Sequence, residues 1–227
     1  MTSTLIDYFR TVPIFSGLDE GALGKLASVS HLKRISKGQV LFLQGDSGRA
    51  AYVVYQGVIA ILFTTADGRE LVINEMREGE CFGELALLLD QPRSASALAH
   101  EDSQVIRIPR EEFLALVEAE PKLMRNLLDT IAGRLVNSGE RESALAFLHA
   151  PARTAHFLLG RAAEEEGQDD LVSLSQEELA QHIGVTRQTV AKILGEWRRD
   201  GWIITGRGRI MLVNLEALGT LAKESNG

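Results

Sequence analysis

A single cysteine, Cys81, stands in 227 residues. One thiol cannot close an internal disulfide, complete a four-cysteine iron–sulfur cluster or build a Cys-x-x-Cys zinc site. The chain therefore suits a reducing, cytoplasmic compartment, and Cys81 reads as a small buried apolar residue. Long apolar runs are also missing. No stretch nears the ~20 residues that span a bilayer, and Met1 opens a polar start without a basic-then-apolar leader pattern, so no membrane partner is expected. The five histidines, His31, His100, His149, His156 and His182, lack metal-ligand spacing and read as surface or core residues, which argues against a metal or a haem. No nucleophile–base pair is visible, so nothing here points to an enzyme. The net charge of −7 excludes a protein coated in positive charge, yet leaves room for a local basic patch. What is present is ordinary for a globular protein: 45% hydrophobic and 24% charged residues, in a chain long enough to bury a core without staples.

Three compositional zones follow one another. From about Leu5 to Leu116, glycines punctuate short runs rich in branched and aromatic residues: "QVLFLQG", "AYVVYQGVIAILF", "LVINEM" and "QVIRIP". Short strands at ~8–12-residue spacing with turn signals predict a sandwich or barrel. Asp67-Gly68 supplies a tight hairpin turn, and "DEGALGKLASV" a short helix ahead of the strands. In the second zone, Pro109 closes the last strand, Glu111 and Glu112 suit a first helical turn, and Pro121 breaks or restarts that helix. Leu128, Ile131, Leu135, Ser138, Glu142 and Leu145 then recur at spacings of three and four, a heptad seam that favours a homodimer. The polar seam positions Ser138 and Glu142 serve either as register devices or as ligand contacts.

The third zone opens at Pro151, which fits the first turn of a new helix. Ser175 with Glu178 makes a capping box, Gly184 stops that helix, and Thr186 caps the next after a turn of about three residues. Two short helices across a tight glycine turn form a helix-turn-helix, and "ITGRGRIMLVN" adds a hairpin wing with Gly206 and Gly208 at its tip. Leu179, Ile183, Val185, Val190, Ile193 and Leu194 would lock the helices together. That leaves Thr186, Arg187, Gln188, Thr189 and Lys192 at the start or outer face of the second helix, where side chains reach base edges in a major groove. Between Gly184 and Ile210 stand six basic residues against two acidic ones, a net +4 inside a chain of −7. The wing arginines Arg207 and Arg209 would sit on phosphates. Trp197 and Trp202 read as core and strand-edge packing. The alternative is a solvated hairpin that packs on another protein.

One stretch spans both glycine punctuation and charge: "GECFGELALLLDQPRSAS", residues 79–96. Its core, "FGELALLLDQPRSAS", resembles the phosphate-binding cassette of cyclic-nucleotide-binding domains. With the winged helix downstream, the chain resembles the cyclic AMP receptor protein / FNR (Crp-Fnr) family of bacterial transcription regulators from about Phe15 to Leu218. The resemblance implies an α+β chain in three parts: a cyclic-nucleotide-binding β jelly-roll barrel (1–117), a dimerisation helix and hinge (118–149), and a winged helix-turn-helix (150–227). It also implies the ligand contacts. Glu84 accepts the ribose hydroxyl, Arg93 pairs with the phosphate, Ser94 hydrogen-bonds it, and Gly83, Leu85 and Ala86 bring helix amides to the anion. Ser138 meets the base. Cyclic AMP is the default effector by resemblance, and Gly139, which carries no donor where the family adds a second one, leaves cyclic GMP or cyclic di-GMP as alternatives. Glu84 and Arg93 are expected to compensate each other without ligand.

The resemblance further implies a homodimer that places two recognition helices one turn apart on a pseudo-palindromic double-stranded DNA operator. Arg187 and Lys192 fall on base-contacting positions, and Gln188 stands where well-known members carry glutamate. Ligand would draw the barrel onto the dimer helix through Ser138 and move the hinge "FLHAP", Phe147 to Pro151. The acidic run "AEEEGQDD", 163–170, reads as a solvated turn, with an RNA-polymerase-facing loop as the alternative. A rival from another class is a constitutive DNA-binding dimer whose barrel is only a scaffold.

Overall fold

Alternation decides which way each strand of the N-terminal part faces, and one strand faces apolar neighbours on both sides. The computed structural model describes residues 2–66, 68, 70–164 and 170–224. It opens with helix α1 (Thr2–Thr11), a 3-10 turn over Pro13–Phe15, and helix α2 (Glu20–Val29), capped by the Asp19 carboxylate, which accepts from the Ala22 amide at 2.8 Å. Eight strands follow: β1 (His31–Ile35), β2 (Val40–Phe42), β3 (Ala50–Gln56), β4 (Ile59–Thr64), β5 (Glu70–Met76), β6 (Cys81–Phe82), β7 (Ser96–Ala99) and β8 (Ser103–Pro109), with the four-residue helix α3 (Leu85–Leu88) between β6 and β7. They form two four-stranded sheets, ordered β1-β8-β3-β6 and β2-β7-β4-β5. Strand β8 runs antiparallel to β1 and β3, β6 to β3, and β7 to β2 and β4, as a jelly roll requires.

Along β3, Ala50, Tyr52 and Val54 point between the sheets, where they meet Ile59, Met76, Ala97 and Ala99. Ala51 and Val53 point the other way, into a layer of helices that brings Phe9, Phe15, Leu23, Phe113 and Leu123. A strand covered on both faces needs an unbroken apolar run, which is what "AAYVVY" supplies. The helical layer includes α4 (Arg110–Ala119) and the start of the 27-residue helix α5 (Pro121–Phe147). The Tyr8 hydroxyl of α1 donates to the Val54 carbonyl at 2.5 Å and accepts from the Gly79 amide at 3.0 Å, pinning the first helix to the barrel.

Two compact units divide the chain: Met1–Thr64 with Val72–Val136, and Thr65–Leu71 with Asn137–Gly227. In the second unit, α5 breaks at Leu148 and His149, inside the expected hinge, and α6 (Ala150–Glu164) begins. Strand β9 (Leu171–Val172), helices α7 (Gln176–Ile183) and α8 (Arg187–Arg199), strands β10 (Ile203–Gly206) and β11 (Arg209–Leu212), and helix α9 (Leu215–Leu221) complete it. The three strands form one antiparallel sheet ordered β10-β11-β9. Leu179, Ile183, Val190, Ile193, Leu194 and Trp197 are buried together with Val185 partly buried beside them, and the Trp197 and Trp202 rings lie 6.2 Å apart, so both tryptophans serve packing.

Several elements differ from the sequence expectation. Helix α1 and strands β1, β6, β7 and β9 have no counterpart in it. Asp67 of the expected hairpin turn and residues 165–169 of the acidic run lie outside the described residues. Gly68 takes a φ of 81°, as the tip of such a turn requires.

Candidate functional site: a buried cassette and a helix-turn-helix

Gly83 ends β6 with a φ of 77°, and a Cβ built there would stand 2.7 Å from Nη1 of Arg93. The position therefore needs glycine twice over, once for backbone conformation and once for room. That room is occupied by the Arg93 guanidinium. Glu84 stands at the N-cap of α3, Leu85 and Ala86 form its first turn, and Ala86 is buried while Leu85 is exposed. Gly45 N donates to Arg93 O at 2.9 Å and Arg93 N donates to Asp46 O at 2.8 Å, so the loop after β2 is stitched to the arginine segment. Ser94 follows on the exposed side of the chain.

Glu84 and Arg93 are two of the few charged side chains that fold into the interior, at 2% and 4% exposure. They do not form the expected mutual ion pair. Arg134 reaches in from α5 instead, and its Nη1 donates to Glu84 Oε1 at 2.9 Å while Nη2 donates to the Cys81 carbonyl at 2.5 Å. Arg93 turns its other edge to the backbone, with Nη1 donating to Gly83 O at 2.5 Å and Nη2 to Ala50 O at 2.7 Å. Its guanidinium carbon lies 4.2 Å from the centroid of the Phe42 ring and 5.8 Å from that of Tyr52. The physical reason for the different pairing is reach: the backbone carbonyls next to Arg93 satisfy it in place, and the long Arg134 side chain supplies the cation that Glu84 needs.

Burial pushes the Glu84 carboxyl above the usual carboxylate range, opposed chiefly by Arg134 and more weakly by Arg93. Burial also lowers Arg93, which stays cationic because a guanidinium does not lose its proton in proteins. The Cys81 thiol is pushed well up by burial and by Glu84, so it is no nucleophile. Two buried atoms in this cluster have no hydrogen-bond partner: Oε2 of Glu84 and Nε of Arg93. One is an acceptor that calls for a hydroxyl, the other a donor that calls for an anion. An orphaned buried polar atom is costly, so a pair of opposite kind in one cassette fits a ligand that carries both groups.

Of the residues the structure brings together here, Gly83, Glu84 and Arg93 are named from the sequence and Arg134 and Phe42 are not. Arg134 lies one helical turn before Ser138, and that i, i+4 spacing next to the seam is the available signal. Phe42 sits in "QVLFLQG" with nothing local to distinguish it from a core residue. The Ser138 hydroxyl is 3.3 Å from Oε1 of Glu142, four residues along the same helix.

In the second unit, the Ser175–Glu178 capping box forms at both of its bonds, and Gly184 closes α7 in the left-handed region with a φ of 69°. Thr186 caps α8 by accepting from the Thr189 amide at 3.3 Å. Arg187, Gln188 and Lys192 are exposed on α8, Thr189 is half-buried, and Arg207 and Arg209 are exposed at the hairpin tip. At the hinge, His149 Nδ1 accepts from the Ala152 amide at 3.2 Å and so caps α6. Arg153 donates from Nη1 to Leu148 O at 2.7 Å and from Nε to Ile183 O at 3.1 Å, clasping the end of α5 to the end of α7. Among the described residues, no helix is long and apolar enough to cross a membrane.

Comparison with known proteins gives the same two parts. A family model for the cyclic nucleotide-binding domain matches residues 32–120, and one for the Crp-like helix-turn-helix domain matches residues 152–221. The chain is 32% identical over 198 residues to the cyclic AMP receptor protein of Thermus thermophilus, covering 87% of this chain and 91% of that protein. It is 28% identical over 215 residues to the CRP-like cAMP-activated global transcriptional regulator of Mycobacterium tuberculosis, covering 92% and 96%. A solved transcriptional regulator of the CRP/FNR family, also from Thermus thermophilus, superposes with a TM-score of 0.71 at 27% identity, over 86% of this chain and all of that one (100%). These relatives are transcription regulators, not enzymes. With a buried cassette in its jelly roll and a capped, basic helix-turn-helix behind a long helix, this chain belongs to the Crp-Fnr family of cyclic-nucleotide-binding transcription regulators.

Proposed function

We propose that the protein is a homodimeric regulator whose binding to a pseudo-palindromic operator responds to a cyclic nucleotide, with cyclic AMP as the first candidate. The observation that carries this is the pair of unsatisfied buried atoms, Glu84 Oε2 and Arg93 Nε. A cyclic nucleotide brings a ribose hydroxyl to the first and a phosphate anion to the second, and an Arg–phosphate bond in a dry site is strong and orienting. Arg134 leaves one carboxylate oxygen of Glu84 bonded and the other open, which sets the acceptor's direction. Ser94 adds a hydroxyl beside the phosphate, and Ser138 offers one to the base. The names of the two relatives favour cyclic AMP. Gly139 keeps cyclic GMP and cyclic di-GMP in the comparison.

The dimer rests on α5. Leu128 is 60% exposed and Leu135 73%, at the seam spacing that coiled coils bury. On DNA, Arg187 and Lys192 read base edges with Gln188 beside them, while Thr186 and Thr189 fix the helix start. Arg207 and Arg209 hold phosphates. The Arg153 clasp carries a movement of the α5 end into the reading helices.

Calorimetry with cyclic AMP, cyclic GMP and cyclic di-GMP, alongside operator binding, tests the proposal. Arg93→Ala is expected to abolish ligand-dependent DNA binding while the fold stays intact. A variant that still binds operator only with ligand overturns the cassette assignment. No heat with any of the three nucleotides favours the second reading, a constitutive DNA-binding dimer. The carbonyls of Gly83 and Ala50 that already hold Arg93 give that reading its physical support.

A further inference from the structure

Arg93 is a cation at 4% exposure, and among the described residues it has no carboxylate within ion-pair distance. A buried charge without a counter-ion needs another source of compensation. Glu84 and Asp46 favour the charge from beyond ion-pair distance, and two direct contacts are in place beside them. One edge of the guanidinium donates to the carbonyls of Gly83 and Ala50. One face lies on the ring of Phe42, 4.2 Å from its centroid, close enough for the negative ring face to attract it. Phe42 is itself held: its ring stacks on Tyr52 at 5.8 Å, and Tyr52 stacks on Phe82 at 5.4 Å. Backbone stitching of Gly45 and Asp46 to Arg93 ties the loop that follows Phe42 to the arginine's own main chain.

A planar guanidinium gripped along one edge can still swing about that edge. A ring under one face removes this freedom. We propose that Phe42 is a positioning residue for ligand binding: its ring fixes the plane of the Arg93 guanidinium, so that Nε, the one guanidinium nitrogen without a partner, presents its N–H in a single direction to an incoming anion. The three-ring stack is then the rear support of the anion site as well as core. This inference rests on the reading of the cassette as a cyclic-nucleotide site and adds a positioning residue to it.

The full-length protein is compared with Phe42→Leu, which keeps apolar volume and loses the ring face, and with Phe42→Tyr, which keeps the ring. Cyclic AMP and cyclic GMP affinities are measured by calorimetry, and the Arg93 Nε–H resonance is followed by nitrogen-15 NMR, since a proton near a ring face is shifted by the ring current. Thermal melting confirms that each variant folds. Phe42→Leu is expected to weaken binding about tenfold and move the resonance, and Phe42→Tyr to restore both. Leucine binding as tightly as phenylalanine, or tyrosine failing as badly as leucine, overturns the role of the ring. A wild type that takes up neither nucleotide instead sinks the cassette reading, and this inference with it.

Discussion

Arg134 is the chief cation opposing the burial of the Glu84 carboxyl, and the cost of losing that partner can be argued from burial. The carboxylate is 2% exposed and the arginine 22% on the side-chain scale. Arg134→Ala is expected to destabilise the protein by about 3 kcal/mol, because it strands a buried charge. Adding Glu84→Gln to that variant removes the charge and should recover much of the loss, a coupling that urea denaturation of the four species measures. The sign of the pH dependence follows from the direction of the Glu84 shift. A carboxyl whose folded pKa lies above its unfolded one contributes most stability below the unfolded value and loses it as pH rises through the folded value. The deficit of Arg134→Ala is therefore larger at pH 7 than near pH 5. At this scale, the sequence reveals residues whose partners are close in the chain. Arg134 and Glu84 are 50 residues apart, and Phe42 and Arg93 lie just as far apart in the chain; only the jelly roll brings them together.

Elements are legible where their own residues carry the signal. The capping box at Ser175, the left-handed stop at Gly184 and the restart at Pro121 are local chemistry, and each appears where the sequence puts it. Strand β1, "HLKRI", hides because four of its five residues are exposed and show no alternation; pairing with β8, not its own pattern, makes it a strand. Strand β6 is two residues long, below any periodicity. Helix α1 has the composition of a polar start, yet it is anchored by Tyr8 through bonds to Val54 and Gly79. Burial raises the Tyr8 phenol from 10.0 to about 12. A raised folded pKa gives stability that is complete below the unfolded value near 10 and is lost as pH rises towards 12. Melting temperatures taken between pH 9 and 12, on the order of the phenol range, should therefore fall more steeply in the wild type than in Tyr8→Phe. Parallel curves would mean that α1 is not held through this hydroxyl.

The whole molecule joins a net charge of −7 to a segment of +4 over residues 184–210, so on the proposed function its attraction to DNA is concentrated in that segment. Affinity that comes from phosphate neutralisation falls with salt, with a slope of about −0.9 per phosphate contacted. Arg207→Ala and Arg209→Ala should each flatten that slope by about 1 without changing which sequences are preferred. Arg187→Ala should relax the preference itself, because the contact proposed for Arg187 is to a base edge. A salt slope that does not respond to the wing arginines removes them from the interface, and an unchanged preference in Arg187→Ala moves the recognition helix out of register. On the proposed function the two ends of the molecule are joined by linkage. If nucleotide tightens operator binding by some factor, operator must tighten nucleotide binding by the same factor. A complete switch would require about 5.5 kcal/mol of preference for the active state, so a smaller, graded factor is expected. Nucleotide calorimetry with and without operator measures it from one side, and operator titration with and without nucleotide from the other. Equal, non-unit factors establish that the cassette and the reader share one equilibrium. A factor of one on both sides leaves a DNA-binding dimer on which the cassette has no hold.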